Sequence, residues 1–171
     1  MGRVPERSEA TEYYFTYIDQ VGPGDIVEIL GRQGREMLSL FNGISEERSL
    51  ERYEAGKWTI REVLGHLNDT ERLFVARAFW FARGFDTPLP SFDQHVAMKA
   101  SGANPRAWRT HVHEFQAVRS ATVAFFGNLP DDAWDRRGIA SDNPFTVRAL
   151  AYLCAGHVIH HVRILRERYG V

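Results

Sequence analysis

An all-α fold, a bundle of four long helices, is what this sequence predicts, and three observations predict it. Four segments carry apolar residues at helical spacing. They begin or end at recognisable capping signals, and no stretch alternates strongly at period two as a half-buried strand does. The 171 residues are one domain's length, so residues 1–171 are expected to form a single domain.

Residues 1–22, with the aromatic cluster Tyr13, Tyr14, Phe15 and Tyr17, read as a lead-in that packs across the bundle. The first bundle helix is expected from Asp25 to about Phe41, its apolar side supplied by Ile26, Ile29, Leu30, Met37, Leu38 and Phe41. Gly31 and Gly34 each weaken it by about 1 kcal/mol relative to alanine, and Asn42-Gly43 ends it. The second helix has the clearest start. Thr59-Ile60-Arg61-Glu62 is a capping box, in which threonine and glutamate each satisfy an orphan amide of the first turn. Ile60, Leu64, Leu67, Phe74, Ala78 and Phe81 then trace a stripe up to Gly84. The third helix is expected to open at Asn104-Pro105, a cap followed by proline at the first helical position, and to run to about Asn128. Pro130 to Trp134 reads as one short turn. The fourth helix opens near Thr146, after Asn143-Pro144, and continues to Tyr169. The connection of residues 85–104 is long for a bundle. It has the length to return the chain to its starting end, leaving the second and third helices parallel, and loops of that length often serve as lids.

Composition narrows the function. A net charge of −1, with 44% hydrophobic and 25% charged residues, is that of an ordinary globular protein and gives no reason to expect nucleic acid as a partner. No apolar run is long enough to span a bilayer, and the N-terminus lacks the apolar core of a signal peptide. The lone Cys154 suits a reducing compartment. A cytoplasmic location without membrane contact is therefore expected.

The fourth helix carries the chemistry. Its core stripe reads Val147, Leu150, Cys154, His157, His161, Ile164. Residues four apart on a helix differ by only about 40° in direction, so His157 and His161 can touch one ion together. His160 lies to the flank of the stripe, where a role beside the ligands or at the surface is expected. His66, seven residues into the second helix, falls at similar height if the second and fourth helices are antiparallel neighbours. It lies on a row with Val63, Thr70 and Leu73 at the edge of the buried face. Three neutral imidazoles suit a divalent ion such as zinc or nickel, with iron, copper or manganese as alternatives. They leave a position open for water or substrate. The blander reading is that these are core histidines bonded to backbone or water. Glu71, which interrupts the apolar stripe of the second helix, is a candidate to orient a ligand imidazole or to pair with an arginine such as Arg163. Asp69 is a candidate to hold water near the ion, although solvent exposure also explains it. His95 and Asp93, in the long connection, are candidates to cap the pocket. His111 and His113 point to opposite sides of the third helix, and at least one is expected at the surface. The helix-borne HExxH of zinc proteases is absent, because position 158 is valine, and so are the paired Glu-x-x-His motifs of di-iron bundles.

Lys57-Trp58-Thr59-Ile60-Arg61-Glu62-Val63-Leu64-Gly65-His66-Leu67-Asn68-Asp69-Thr70-Glu71-Arg72 and Ala155-Gly156-His157-Val158-Ile159-His160-His161 closely resemble the signatures of the DinB-like, or YfiT-type, metalloenzyme superfamily. The likeness extends to the Tyr13-to-Tyr17 segment, to Pro90-Ser91-Phe92-Asp93 and to Leu129-Pro130-Asp131-Asp132-Ala133-Trp134. It implies a four-helix bundle in up-down-down-up order, a divalent metal on His66, His157 and His161, and a homodimer formed by helix packing. Activities in the wider superfamily include transferases and isomerases that use bacillithiol or mycothiol. Two functions are therefore expected as alternatives. One is a metal-dependent enzyme of thiol transfer or hydrolysis acting on a small molecule, in which the ion lowers the pKa of water or a low-molecular-weight thiol. The other is a non-catalytic metal-binding protein induced by stress or damage.

Overall fold

A computed structural model describes residues 3–171. Its helices are α1 (Glu12–Ile18), α2 (Ile26–Asn42), α3 (Ile60–Ala82), α4 (Gln94–Ala100), α5 (Trp108–Gly127) and α6 (Val147–Tyr169), and a two-stranded antiparallel hairpin joins β1 (Arg137–Ala140) to β2 (Asn143–Thr146). Short 3-10 turns cover Arg7–Glu9, Arg48–Leu50 and Asp131–Asp135.

α2, α3, α5 and α6 form the bundle. The directions follow from which residues meet. Tyr169, at the end of α6, donates its hydroxyl proton to the Trp58 carbonyl just before α3, so these helices are antiparallel. α3 and α5 run parallel, with Asn68 beside His111 at one end and Phe79 beside Phe125 at the other. α2 and α5 are antiparallel, Phe41 meeting Trp108 edge to face while Val27 faces Gly127. The order is up-down-down-up, as expected from the length of the second connection.

Two apolar cores fill the bundle. One gathers α1, the hairpin, Leu30, Phe74, Phe126 and the first half of α6. The other gathers Met37, Phe41, Leu64, Leu67, Phe115 and Val162. Between them lies a polar layer with a member from each bundle helix. Arg119 donates through Nε and Nη2 to the two Glu71 oxygens at 2.8 and 2.7 Å, and through Nη1 to Gln33 Oε1 at 2.7 Å. Gln33 Nε2 in turn donates to the Ala155 carbonyl at 3.0 Å. Gly34 is part of this layer, because a Cβ there would stand 2.8 Å from Arg119 Cγ. A glycine that weakens the isolated helix is what admits the arginine.

Several expectations are corrected. The absence of a sheet does not hold, since Asn143-Pro144 belong to β2. The hairpin turns on Ser141 and Asp142, both at positive φ (51° and 59°), as a two-residue type I′ connection requires. Strands of four residues are too short to show alternation. α5 starts at Trp108 and not at Asn104-Pro105. The Trp108 amide is capped from a distance by Glu46 Oε2 at 2.8 Å. Asn104 instead bridges the capping box of α3, where Thr59 Oγ1 donates to its Oδ1 at 2.8 Å and its Nδ2 donates to Glu62 Oε1 at 2.9 Å. The capping box itself is formed as the sequence predicts. The long connection holds α4, and the aromatic lead-in is the helix α1.

Candidate metal centre

The start of α3 and the second half of α6 meet because these helices are antiparallel neighbours. Thr59 and Glu62 fix where α3 begins, and buried Arg61 ties that end to both long connections, donating to Ser49 Oγ, the Asn104 carbonyl and Glu46 Oε1. On α6, Gly156 sets the depth. A Cβ there would lie 2.2 Å from the Tyr17 carbonyl oxygen, so only glycine lets α1 cross so closely and lay the Tyr17 ring against His157 and His160.

This geometry brings His66, His157 and His161 together. Each offers a ring nitrogen, all within 4.8 Å of one another. His157 Nε2 stands 3.1 Å from both His66 Nε2 and His161 Nε2. His66 and His157 are buried, at 3% and 7% exposure, and Trp58 and Phe74 close over them at ring distances of 5.0 and 5.9 Å. Burial lowers all three pKa values. His66 falls to about 4, with His95 contributing. His161 falls to about 3 by burial and then by His66 and His160. His157 lies well below its usual range by burial and then by His161, His66 and His160. The cluster is neutral at pH 7.

A neutral imidazole has one N–H and one lone pair, so a single nitrogen of His157 cannot satisfy two facing nitrogens at once. One cation would take all three lone pairs. The 3.1 Å spacings are close to the roughly 3.3 Å that separates nitrogens held 2.0–2.1 Å from a tetrahedral ion. Thr70 Oγ1, 3.3 Å from His66 Nδ1, can accept that N–H and leave Nε2 free as a donor of its lone pair. The residues present fit a divalent metal.

The centre opens on a cavity of about 480 Å³ lined by His66 and His157, by Tyr14 and Tyr17, and by Asp93 and His95 among others. Asp93 and His95 thus stand where a pocket cap was expected. Asp93 accepts from the His95 and Val96 amides, and these bonds hold its carboxyl below the usual range. His95 packs on Trp58 at 5.8 Å. His160 is half-buried beside Tyr17 and His161. Two candidates lie elsewhere. Glu71 neither orients a ligand imidazole nor pairs with Arg163, which is exposed. Both of its oxygens are taken by Arg119. Asp69 turns to Arg72, 3.6 Å away, on the flank of α3 facing Glu114, and does not line the cavity. His113 is exposed, while His111 is buried with Nε2 2.9 Å from the Ala103 carbonyl. Arg77 also lines the cavity; the signal for it in the sequence is that it continues the row His66, Thr70, Leu73 by one more turn.

The sequence pattern of the DinB superfamily matches residues 29–165. No curated protein matches the chain. Among solved structures it is similar to YfiT from Bacillus subtilis, described as a probable metal-dependent hydrolase with an unusual four-helix bundle topology. The two share 18% identity at a TM-score of 0.75, over 97% of this chain and 93% of that one. At that identity the likeness is one of fold. The family pattern spans all four bundle helices and includes His66, His157 and His161, and on that extent the chain belongs to the DinB superfamily.

Proposed function

We propose that the protein is a divalent-metal-dependent enzyme acting on a small molecule, with hydrolysis as its first reading and transfer of a low-molecular-weight thiol as the second. One observation carries this. Two of the three converging imidazoles, His66 and His157, line a cavity sized for a small ligand, and His161 Nε2 stands 3.1 Å from His157 Nε2. His66, His157 and His161 would hold the ion, zinc or nickel by the all-imidazole donor set. Such an ion supplies Lewis-acid activation of water or of a thiol near neutral pH. The chain's own residues do the rest. Thr70 selects the tautomer of His66, Trp58 and Phe74 keep bulk water from the rings, and Tyr17 fixes the face that His157 presents. Asp93, ionised and on the cavity wall, is placed to receive a proton from a nucleophile. The description of YfiT as a probable metal-dependent hydrolase supports the order of the two readings.

The test is an assay of ester and amide hydrolysis, and of thiol transfer to model electrophiles, with chelator and with zinc or nickel restored. Loss of turnover on chelation and its return with metal are expected. Activity indifferent to chelator would refute the enzyme reading.

A further inference from the structure

Arg77 carries a charge that the surrounding protein does not answer. It lies three helical turns past His66 on the same face of α3, about 16 Å along the axis, and lines the same cavity. The residue is only 3% exposed. Nη2 donates to Ser141 Oγ at 2.7 Å and to the Pro90 carbonyl at 3.2 Å, while Nε is buried with no partner. Among the described residues no carboxylate lies within ion-pair distance of it. The other buried arginines differ: Arg119 holds Glu71, Arg148 holds Glu9 and Asp135, and Arg61 reaches Glu46. Burial pulls the pKa of Arg77 down and Tyr14 pulls it up, but a guanidinium stays charged. An unpaired buried cation is costly, and proteins keep one where a ligand completes it.

The fold holds this group at the cavity wall. Leu89 pairs with β1 through its amide to the Ile139 carbonyl and its own carbonyl to the Ser141 amide, and this fixes both Pro90 and Ser141 against the guanidinium. Among the described residues no other arginine or lysine lines the cavity, and Asp93 lines it too. One cation with a carboxylate nearby suits a single negative charge better than a double one. Leu73, Phe74 and Phe92 offer an apolar surface along the way.

We propose that Arg77 is a substrate-binding residue that receives a carboxylate, so that the substrate is a small organic acid with an apolar or aromatic body lying between the guanidinium and the histidine cluster. The inference rests on the metal-enzyme reading for where the reaction occurs, but not for the acid site itself.

The test uses the full chain loaded with zinc and titrated with 3-phenylpropionate, 3-phenylpropionamide and phenyl phosphate. The acid is expected to bind at least about tenfold more tightly than the amide, the size of a charge-assisted hydrogen-bond loss, and Arg77→Gln is expected to erase that preference. Equal binding of acid and amide, a preference surviving in R77Q, tighter Arg77-dependent binding of phenyl phosphate, or no acid binding at about 10 mM would each overturn the proposal. Should R77Q fail to fold, Arg77→Lys keeps the charge but loses the fork. Weaker acid binding with amide binding unchanged is then expected, and undiminished acid binding contradicts the proposal. Repeating the titration on the His66→Ala/His161→Ala variant separates the two ideas. An Arg77-dependent preference that persists there supports the acid site whatever the fate of the metal. A preference lost there but retained in R77Q puts the carboxylate on the ion and overturns the assignment.

Discussion

Burial keeps the clustered imidazoles neutral, and it makes their protonation costly to the fold. A histidine of the unfolded chain takes up a proton as pH falls through about 6.5, whereas folded His66 and His161 resist to about 4 and about 3. Between those limits the unfolded state binds more protons, so the stability of metal-free protein must fall with acidification. Urea unfolding of chelated protein should show a midpoint that drops from pH 7.5 to pH 4.5, and drops less in the His66→Gln/His161→Gln variant. Equal drops would mean that these rings are not held neutral by the fold. At this scale the sequence was informative where spacing alone dictates geometry, as at His157 and His161 four apart on one stripe. It was uninformative where a side chain's partner lies far along the chain. Glu71 announced itself by breaking an apolar stripe, yet only the packing of α5 on α3 reveals Arg119 as its partner.

Among the elements, the polar layer ties the four bundle helices together at the height where the histidine cluster begins. Gln33, Glu71, Arg119 and the Ala155 carbonyl come from α2, α3, α5 and α6 in turn. Arg119→Met removes the cation and leaves the Glu71 carboxylate buried, which should cost about 3–5 kcal/mol. Adding Glu71→Leu should recover much of that loss, because the apolar pair leaves no buried charge unmet. Denaturant midpoints of the single and double variants check this, and a double variant no more stable than R119M would contradict it. The long helices were legible because each spans many turns of one period. Their neighbours were not. α4 has seven residues, α1 has seven, and each hairpin strand has four. Segments so short form only when tertiary contacts hold them. The misplaced start of α5 has the same origin, since its cap, Glu46, lies 62 residues earlier in the chain.

For the molecule as a whole, the up-down-down-up order is what makes the centre. α3 and α5 run parallel, so the chain must travel back between them, and that return path supplies Asp93, His95 and a wall of the cavity. The antiparallel pairing of α3 with α6 sets the beginning of one beside the end of the other, so residues 91 positions apart meet nitrogen to nitrogen. Length and a long connection indicated this order in the sequence, but not the cavity, which depends on how the hairpin and α1 close the side of the bundle. Among the described residues no helix is long and apolar enough to cross a membrane. The most direct measurement is elemental analysis of untagged protein beside its His157→Ala variant, with helix content followed by circular dichroism. Close to one divalent ion per chain, lost in H157A while the helices persist, is the predicted result. Protein that carries no stoichiometric metal, or that keeps it without His157, would contradict the account.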